Sequence, residues 1–273
     1  MRTRLVATMI LTLLAVGSVS AATVDGITIH WISAGTGPQT VVLVHGWTCD
    51  ETSWQGQIPA ISQKYRVITL DLPGHGKSGS PKDGKFSVDQ FARAIEAVRI
   101  EAKLDKAVFA GHSMGTPVVR EYALKYPQRV AALVLVDGLV LVAGSTRPFP
   151  MGTMTGPEGL KARENLIRSM FSAATTPRLQ KQILQMMMDT KEATAAGAMQ
   201  ATWDSSWWKN DVILVPVLGL YADRSGLADK AGLNRLYPKL EYHEIAGTGH
   251  FLMMEKPQEF NRLLTDFLAK VRF

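Results

Sequence analysis

The sequence predicts an α/β chain, a mostly parallel sheet flanked by helices and interrupted once by a helical insertion. Three observations carry this expectation. Apolar runs at residues 41–44, 67–70, 107–110 and 132–136 are short and rich in β-branched residues, as strands buried on both faces require. Helix-period segments at 54–63, 88–102 and 116–126 separate them, and repeated strand-then-helix order implies right-handed crossovers between parallel strands. The pentapeptide Gly111-His112-Ser113-Met114-Gly115 sits between one such strand and one such helix. A serine at a tight strand-to-helix turn has a strained backbone and an exposed hydroxyl, and the flanking glycines let neighbouring backbone pass close by.

In chain order, residues 27–33 alternate as a strand and Gly35-Thr36-Gly37-Pro38 makes a turn. The strand at 67–70 ends in Asp71-Leu72-Pro73-Gly74-His75-Gly76. The helix at 88–102 places Phe91, Ile95 and Val98 on one face. Pro117 suits the first turn of the helix after Ser113, where N–H groups have no partner. Residues 212–220 and 240–245 continue the sheet. Residues 257–271 form a closing helix with Phe260, Leu263, Leu264, Phe267 and Leu268 as its apolar stripe. Residues 138–211 lack buried-strand runs and show helical character at 158–171 and 176–190. That length exceeds a crossover and reads as an inserted helical cap. The expected organisation is therefore a core of residues 22–137 and 212–273 with a cap of 138–211.

Residues 1–21 read as an export signal. Arg2 and Arg4 precede an apolar run at 5–17, and Val19-Ser20-Ala21 supplies small residues for cleavage after Ala21 or Ala22. The run is shorter than the ~20 residues that span a bilayer, so an exported protein without stable membrane insertion is expected. Of the +6 formal charge, the two signal arginines carry two, leaving +4. With no basic cluster interleaved with aromatics, nucleic acid is not an expected partner. The lone Cys49 precludes an internal disulfide and reads as a small buried filler.

Ser113 is the candidate nucleophile, and a serine hydroxyl needs a base within hydrogen-bond reach. His45 and His75 sit in glycine turns, His112 is the variable position beside Ser113, and His30 and His243 lie inside strands. His250, in Gly247-Thr248-Gly249-His250 after the last strand, is free to swing over the sheet's C-terminal edge and is the expected general base. The acid that orients it must also end a strand. Asp137 and Asp223 both qualify.

Four motifs in order resemble the α/β-hydrolase family: His45-Gly46-Trp47 after a strand, Asp71-Leu72-Pro73-Gly74-His75-Gly76-Lys77-Ser78, the Gly111–Gly115 elbow, and Gly249-His250-Phe251 followed by Glu255-Lys256-Pro257-Gln258-Glu259-Phe260. The resemblance covers residues 24–273. It implies an eight-stranded sheet and an oxyanion hole built from the backbone N–H groups of Trp47 and Met114, donors typically worth ~3 kcal/mol each. Where the family often has glycine directly after the elbow, Thr116 stands instead. The acid lies a few residues past the later strand in most members, near Ser225 here, which leaves Asp223 about two residues early; some members take it from the earlier strand end, so Asp137 is preferred and Asp223 is the alternative.

Other chemistries fit poorly. Gly74-His75-Gly76-Lys77-Ser78-Gly79 has the glycine spacing of a dinucleotide loop, but Pro81 and Gly84 stop a helix from starting there. Gly76-Lys77-Ser78 lacks the leading glycine of a phosphate loop, where Asp71 stands. No histidine pair has metal-ligand spacing. Met186-Met187-Met188, Trp203, Trp207 and Trp208 either line an apolar acyl pocket or pack the cap onto the core, packing being the expectation for each residue singly; together they imply an apolar cavity above Ser113. The expectation is an exported serine hydrolase that needs no cofactor and cleaves esters, thioesters or lactones of small to medium apolar acyl groups. Acyl transfer or perhydrolysis by the same triad, or ligand binding without turnover, are the alternatives.

Overall fold

A computed structural model describes residues 18–140, 142–144, 154–223, 225–227 and 229–273. Eight strands form one sheet in the order β1-β2-β4-β3-β5-β6-β7-β8. They are β1 (Ser18–Val24), β2 (Ile27–Ala34), β3 (Thr40–Val44), β4 (Arg66–Leu70), β5 (Ala107–His112), β6 (Val130–Val136), β7 (Val217–Ala222) and β8 (Leu240–Ile245). The β1–β2 and β2–β4 pairs are antiparallel and all others parallel. The runs legible as double-faced strands are so: every residue of β3, β5 and β6 is buried, because helices cover both sides of the sheet.

The helices are α1 (Ile58–Ile61), α2 (Val88–Glu101), α3 (Gly115–Lys125), α4 (Gly156–Ser169), α5 (Pro177–Asp189), α6 (Glu192–Trp203), α7 (Lys230–Leu236), α8 (Leu252–Glu255) and α9 (Pro257–Leu268). The hydroxyl of Ser87 caps α2 by accepting from the Gln90 N–H at 3.0 Å, as a serine immediately before an apolar-periodic run does. Helix α9 buries Phe260, Leu264, Phe267 and Leu268, the spacing of one helical face.

Several boundaries differ from expectation. The helix expected over 54–63 is a 3₁₀ turn, Glu51–Trp54, and the short α1, parted by Gln55-Gly56-Gln57. Strand β7 begins at Val217, because the preceding apolar Val212 and Leu214 face solvent in a connector that reaches Pro216. The cap contains a third helix, α6, whose alanine-rich sequence is apolar nearly all round and shows no stripe. The expected signal segment falls outside the described residues up to residue 17; residues 18–21 belong to β1 and are largely exposed.

Candidate active site

The C-terminal edge of the parallel strands carries the site. Strand β5 ends at His112, and Ser113 follows in the left-handed region with φ 54°. This conformation is held by a Ser113 N–H donation to the Val136 carbonyl at 2.9 Å. The turn is closed by close approaches that exclude side chains. A Cβ on Gly111 would lie 2.2 Å from the Gly115 oxygen, and one on Gly115 would lie 2.6 Å from the Val44 oxygen. Gly46 is as constrained, its hypothetical Cβ meeting Ser113 Cβ at 2.9 Å. Thr116 fits because Gly138 makes room for it: a Cβ there would come within 2.1 Å of Thr116 Oγ1, which donates to the Gly111 carbonyl.

His250 arrives from the loop after β8. Its Nε2 lies 2.8 Å from Ser113 Oγ and its Nδ1 lies 2.7 Å from Asp137 Oδ2. Asp137 ends β6, also in the left-handed region (φ 42°), where aspartate is several-fold enriched. It is wholly buried, and its Oδ1 accepts the Ala222 N–H at 3.1 Å. A carboxylate so placed fixes the imidazole with Nδ1 protonated and Nε2 facing the hydroxyl. Asp223 lies elsewhere: its Oδ1 accepts the Gly247 N–H at 3.0 Å and it is exposed. Both aspartates that the sequence left open thus meet the loop after β8, Asp137 at the His250 imidazole and Asp223 at the Gly247 backbone.

Met114 is the N-cap of α3, and Trp47 follows β3 on the facing loop. Both line the cavity above Ser113, and neither backbone N–H makes a hydrogen bond among the described residues. The positive end of α3 adds to the field there. The Trp47 indole donates to the Ala195 carbonyl of α6 at 2.8 Å, and Thr190 donates to the Thr48 carbonyl at 2.9 Å. The cap therefore touches the loop that carries Trp47.

Three histidines outside this array, His45, His75 and His112, are wholly buried. His112 donates from Nε2 to the His250 carbonyl at 2.8 Å, a contact that its position beside Ser113 did not signal. Burial and the nearby His250 hold it well below the usual histidine range. His45 accepts the Leu72 N–H at 2.9 Å, and burial lowers it as well. Burial holds His75 down to about 3. Burial also pushes the Cys49 thiol far up, leaving it an inert filler.

The cavity encloses about 770 Å³. Core residues Trp47, Met114 and Leu139 meet cap residues Leu166, Met170, Phe171, Met199 and Trp203 around it. Of the six methionine and tryptophan residues weighed as lining or packing, Trp203 lines it, whereas Met186, Met187 and Trp207 are buried and Met188 and Trp208 half-buried against the core. Among the described residues no group of histidine, cysteine and carboxylate side chains could hold a metal ion, and no helix is long and apolar enough to cross a membrane.

A family model described as alpha/beta hydrolase fold matches residues 39–257. The chain is similar to a 2-hydroxy-6-oxononadienedioate/2-hydroxy-6-oxononatrienedioate hydrolase of Paraburkholderia phymatum, 28% identical, over 89% of this chain and 91% of the relative. Among solved structures it is similar to the enol-lactonase from Burkholderia xenovorans, with a TM-score of 0.80 at 22% identity over 92% of this chain and 100% of that one. It is also similar to an N-acyl homoserine lactone degrading enzyme, with a TM-score of 0.76 at 26% identity over 91% and 100% of the two chains.

Proposed function

The chain belongs to the α/β-hydrolase family, and on that premise we propose that it is a serine hydrolase cleaving esters or lactones of apolar acyl groups through an acyl-enzyme. The observation that carries this is the continuous Ser113 Oγ–His250–Asp137 hydrogen-bond chain, 2.8 and 2.7 Å. Ser113 attacks the carbonyl as His250 Nε2 takes its proton, and buried Asp137 stabilises the imidazolium. The N–H groups of Trp47 and Met114 receive the oxyanion. His250 protonates the leaving alkoxide, then activates the water that releases the acid. The apolar lining of the cavity supports an apolar acyl group. Ester hydrolysis by wild type and Ser113→Ala tests it: the variant is expected to lose at least about 1,000-fold in kcat, and equal rates would overturn the reading.

The relative of Paraburkholderia phymatum favours a second reading, hydrolysis of a C–C bond in a dienedioate by the same array. Assaying both substrate types decides: the acyl-ester reading expects kcat/KM for a p-nitrophenyl alkanoate to exceed that for the dienedioate.

Export belongs to the same proposal. It rests on the basic, apolar and small-residue segments of residues 1–21. Cleavage after Ala21 removes residues of β1 that bury little, while Ala22, buried, stays paired with Ile29. N-terminal sequencing of protein from the extracytoplasmic fraction is expected to begin at Ala22 or Thr23; an N-terminus at Met1 there would contradict it.

A further inference from the structure

We propose that Glu255 is a positioning residue for the reaction, its carboxylate locking the His250 loop onto the α4–α5 linker so that the reach of His250 depends on the seating of the cap. This rests on the serine-hydrolase reading above. Glu255 Oε2 accepts the Gly249 N–H at 2.5 Å and the Ser172 hydroxyl at 3.2 Å, and Oε1 accepts the Thr175 hydroxyl. One carboxylate thus joins the residue before His250 to two residues of the cap.

The linker presents those hydroxyls as donors. Ser172 Oγ already accepts the Ala174 N–H at 3.0 Å, and Thr175 Oγ1 already accepts the Ser172 N–H at 2.8 Å. Their protons are left for an outside acceptor, which a carboxylate with two oxygens supplies. A second bond runs in parallel, from the His250 N–H to the Met170 carbonyl at 3.1 Å. The two backbones are in direct contact: a Cβ on Gly249 would lie 2.5 Å from the Met170 oxygen and 3.1 Å from the Ser172 nitrogen. On its far side the loop is held by His112, through the His250 carbonyl. Met170 and Ser172 also line the cavity, whereas Glu255 does not. Linker residues that meet the substrate therefore also hold the base, and the carboxylate between them has no contact with substrate of its own.

The test uses active-site titration with a fluorophosphonate, so that kcat is referred to competent molecules. Displacement of a reacting group by about 1 Å costs on the order of 100-fold. Glu255→Ala is accordingly expected to lower kcat per titrated site by about 30- to 100-fold and to slow labelling in parallel, with KM within about threefold. Glu255→Gln keeps an acceptor for the Gly249 N–H and is expected to recover most of that loss. The double variant Ser172→Ala/Thr175→Val removes the cap-side donors without touching α8; it is expected to lower kcat by about tenfold and keeps the test decisive if Glu255→Ala does not fold. Glu255→Ala and the double variant both within twofold of wild type would overturn the proposal. So would a Gln variant no better than Ala with KM raised as much as kcat falls. A wild type that is not labelled at Ser113 would overturn the serine-hydrolase reading, and this proposal with it.

Discussion

Replacing Asp137 by asparagine exchanges one oxygen for an NH₂ group and is expected to reverse both hydrogen bonds of the His250 imidazole. The Ala222 N–H, 3.1 Å from Oδ1, requires an acceptor, so the amide oxygen must take that place. The amide NH₂ then faces His250 Nδ1 across 2.7 Å. Nδ1 is forced to accept, and the ring proton moves to Nε2, 2.8 Å from Ser113 Oγ. An Nε2 that carries a proton cannot remove one from the serine. Such a tautomer switch costs about 10,000-fold in kcat, about 5.4 kcal/mol in the barrier. The assay is steady-state hydrolysis of p-nitrophenyl butyrate, with circular dichroism confirming the fold. Asp223→Asn is the internal comparison. Its carboxylate accepts the exposed Gly247 N–H, and its kcat is expected to stay within about threefold of wild type, a loss of the size an exposed hydrogen bond carries. Asp137→Asn retaining more than a tenth of wild-type kcat, or Asp223→Asn falling as far, would refute the reasoning.

Two further expectations follow from packing and burial. Gly46→Ala drives a methyl to 2.9 Å from Ser113 Cβ and 3.0 Å from His112 Nδ1; it is expected to cost about 1–3 kcal/mol in urea unfolding, the usual cost of overpacking, and at least tenfold in kcat, and unchanged kinetics would contradict it. His75 is held at about 3 when folded against ~6.5 when unfolded, so between those values the unfolded chain binds the extra proton. Stability is full above ~6.5 and falls as pH drops toward 3, by about 1.4 kcal/mol per pH unit for this residue. Urea midpoints measured from pH 6 to 4 are expected to show that slope reduced in His75→Asn, and an unaltered slope would count against it.

What the sequence made legible was whatever local pattern determines. Buried strands such as 41–44 and 132–136 declare themselves because two covered faces leave only apolar positions. The turn around Ser113 is legible because its glycines answer close contacts within a few residues. Other features depend on distant partners. Strand β1 was not legible, because an exposed Ser-Val-Ser-Ala edge carries no burial pattern. Val212 and Leu214 are apolar yet exposed, so composition placed the start of β7 too early. Helix α6 has no polar face to reveal it. Both aspartates end strands, which left Asp223 open beside the preferred Asp137, and the turn at Asp137 and the approach of the loop after β8 decide between them. The bond from His112 to the His250 carbonyl and the contacts of Glu255 with Ser172 and Thr175 join residues about 80 or more positions apart. Glu255 lies inside a motif that the sequence displays, but its partners in the cap are visible only in three dimensions.

A covalent intermediate at Ser113 is the step on which the proposed hydrolysis turns. Rapid quench of wild type with excess p-nitrophenyl butyrate, followed by peptide mass spectrometry, measures it directly. A butyryl mass increment on the peptide containing Ser113, formed in a burst equal to the number of active sites or trapped in a variant that slows deacylation, is the result expected. Turnover of the same ester with no increment at Ser113 under either condition, or an increment at another residue, would contradict it.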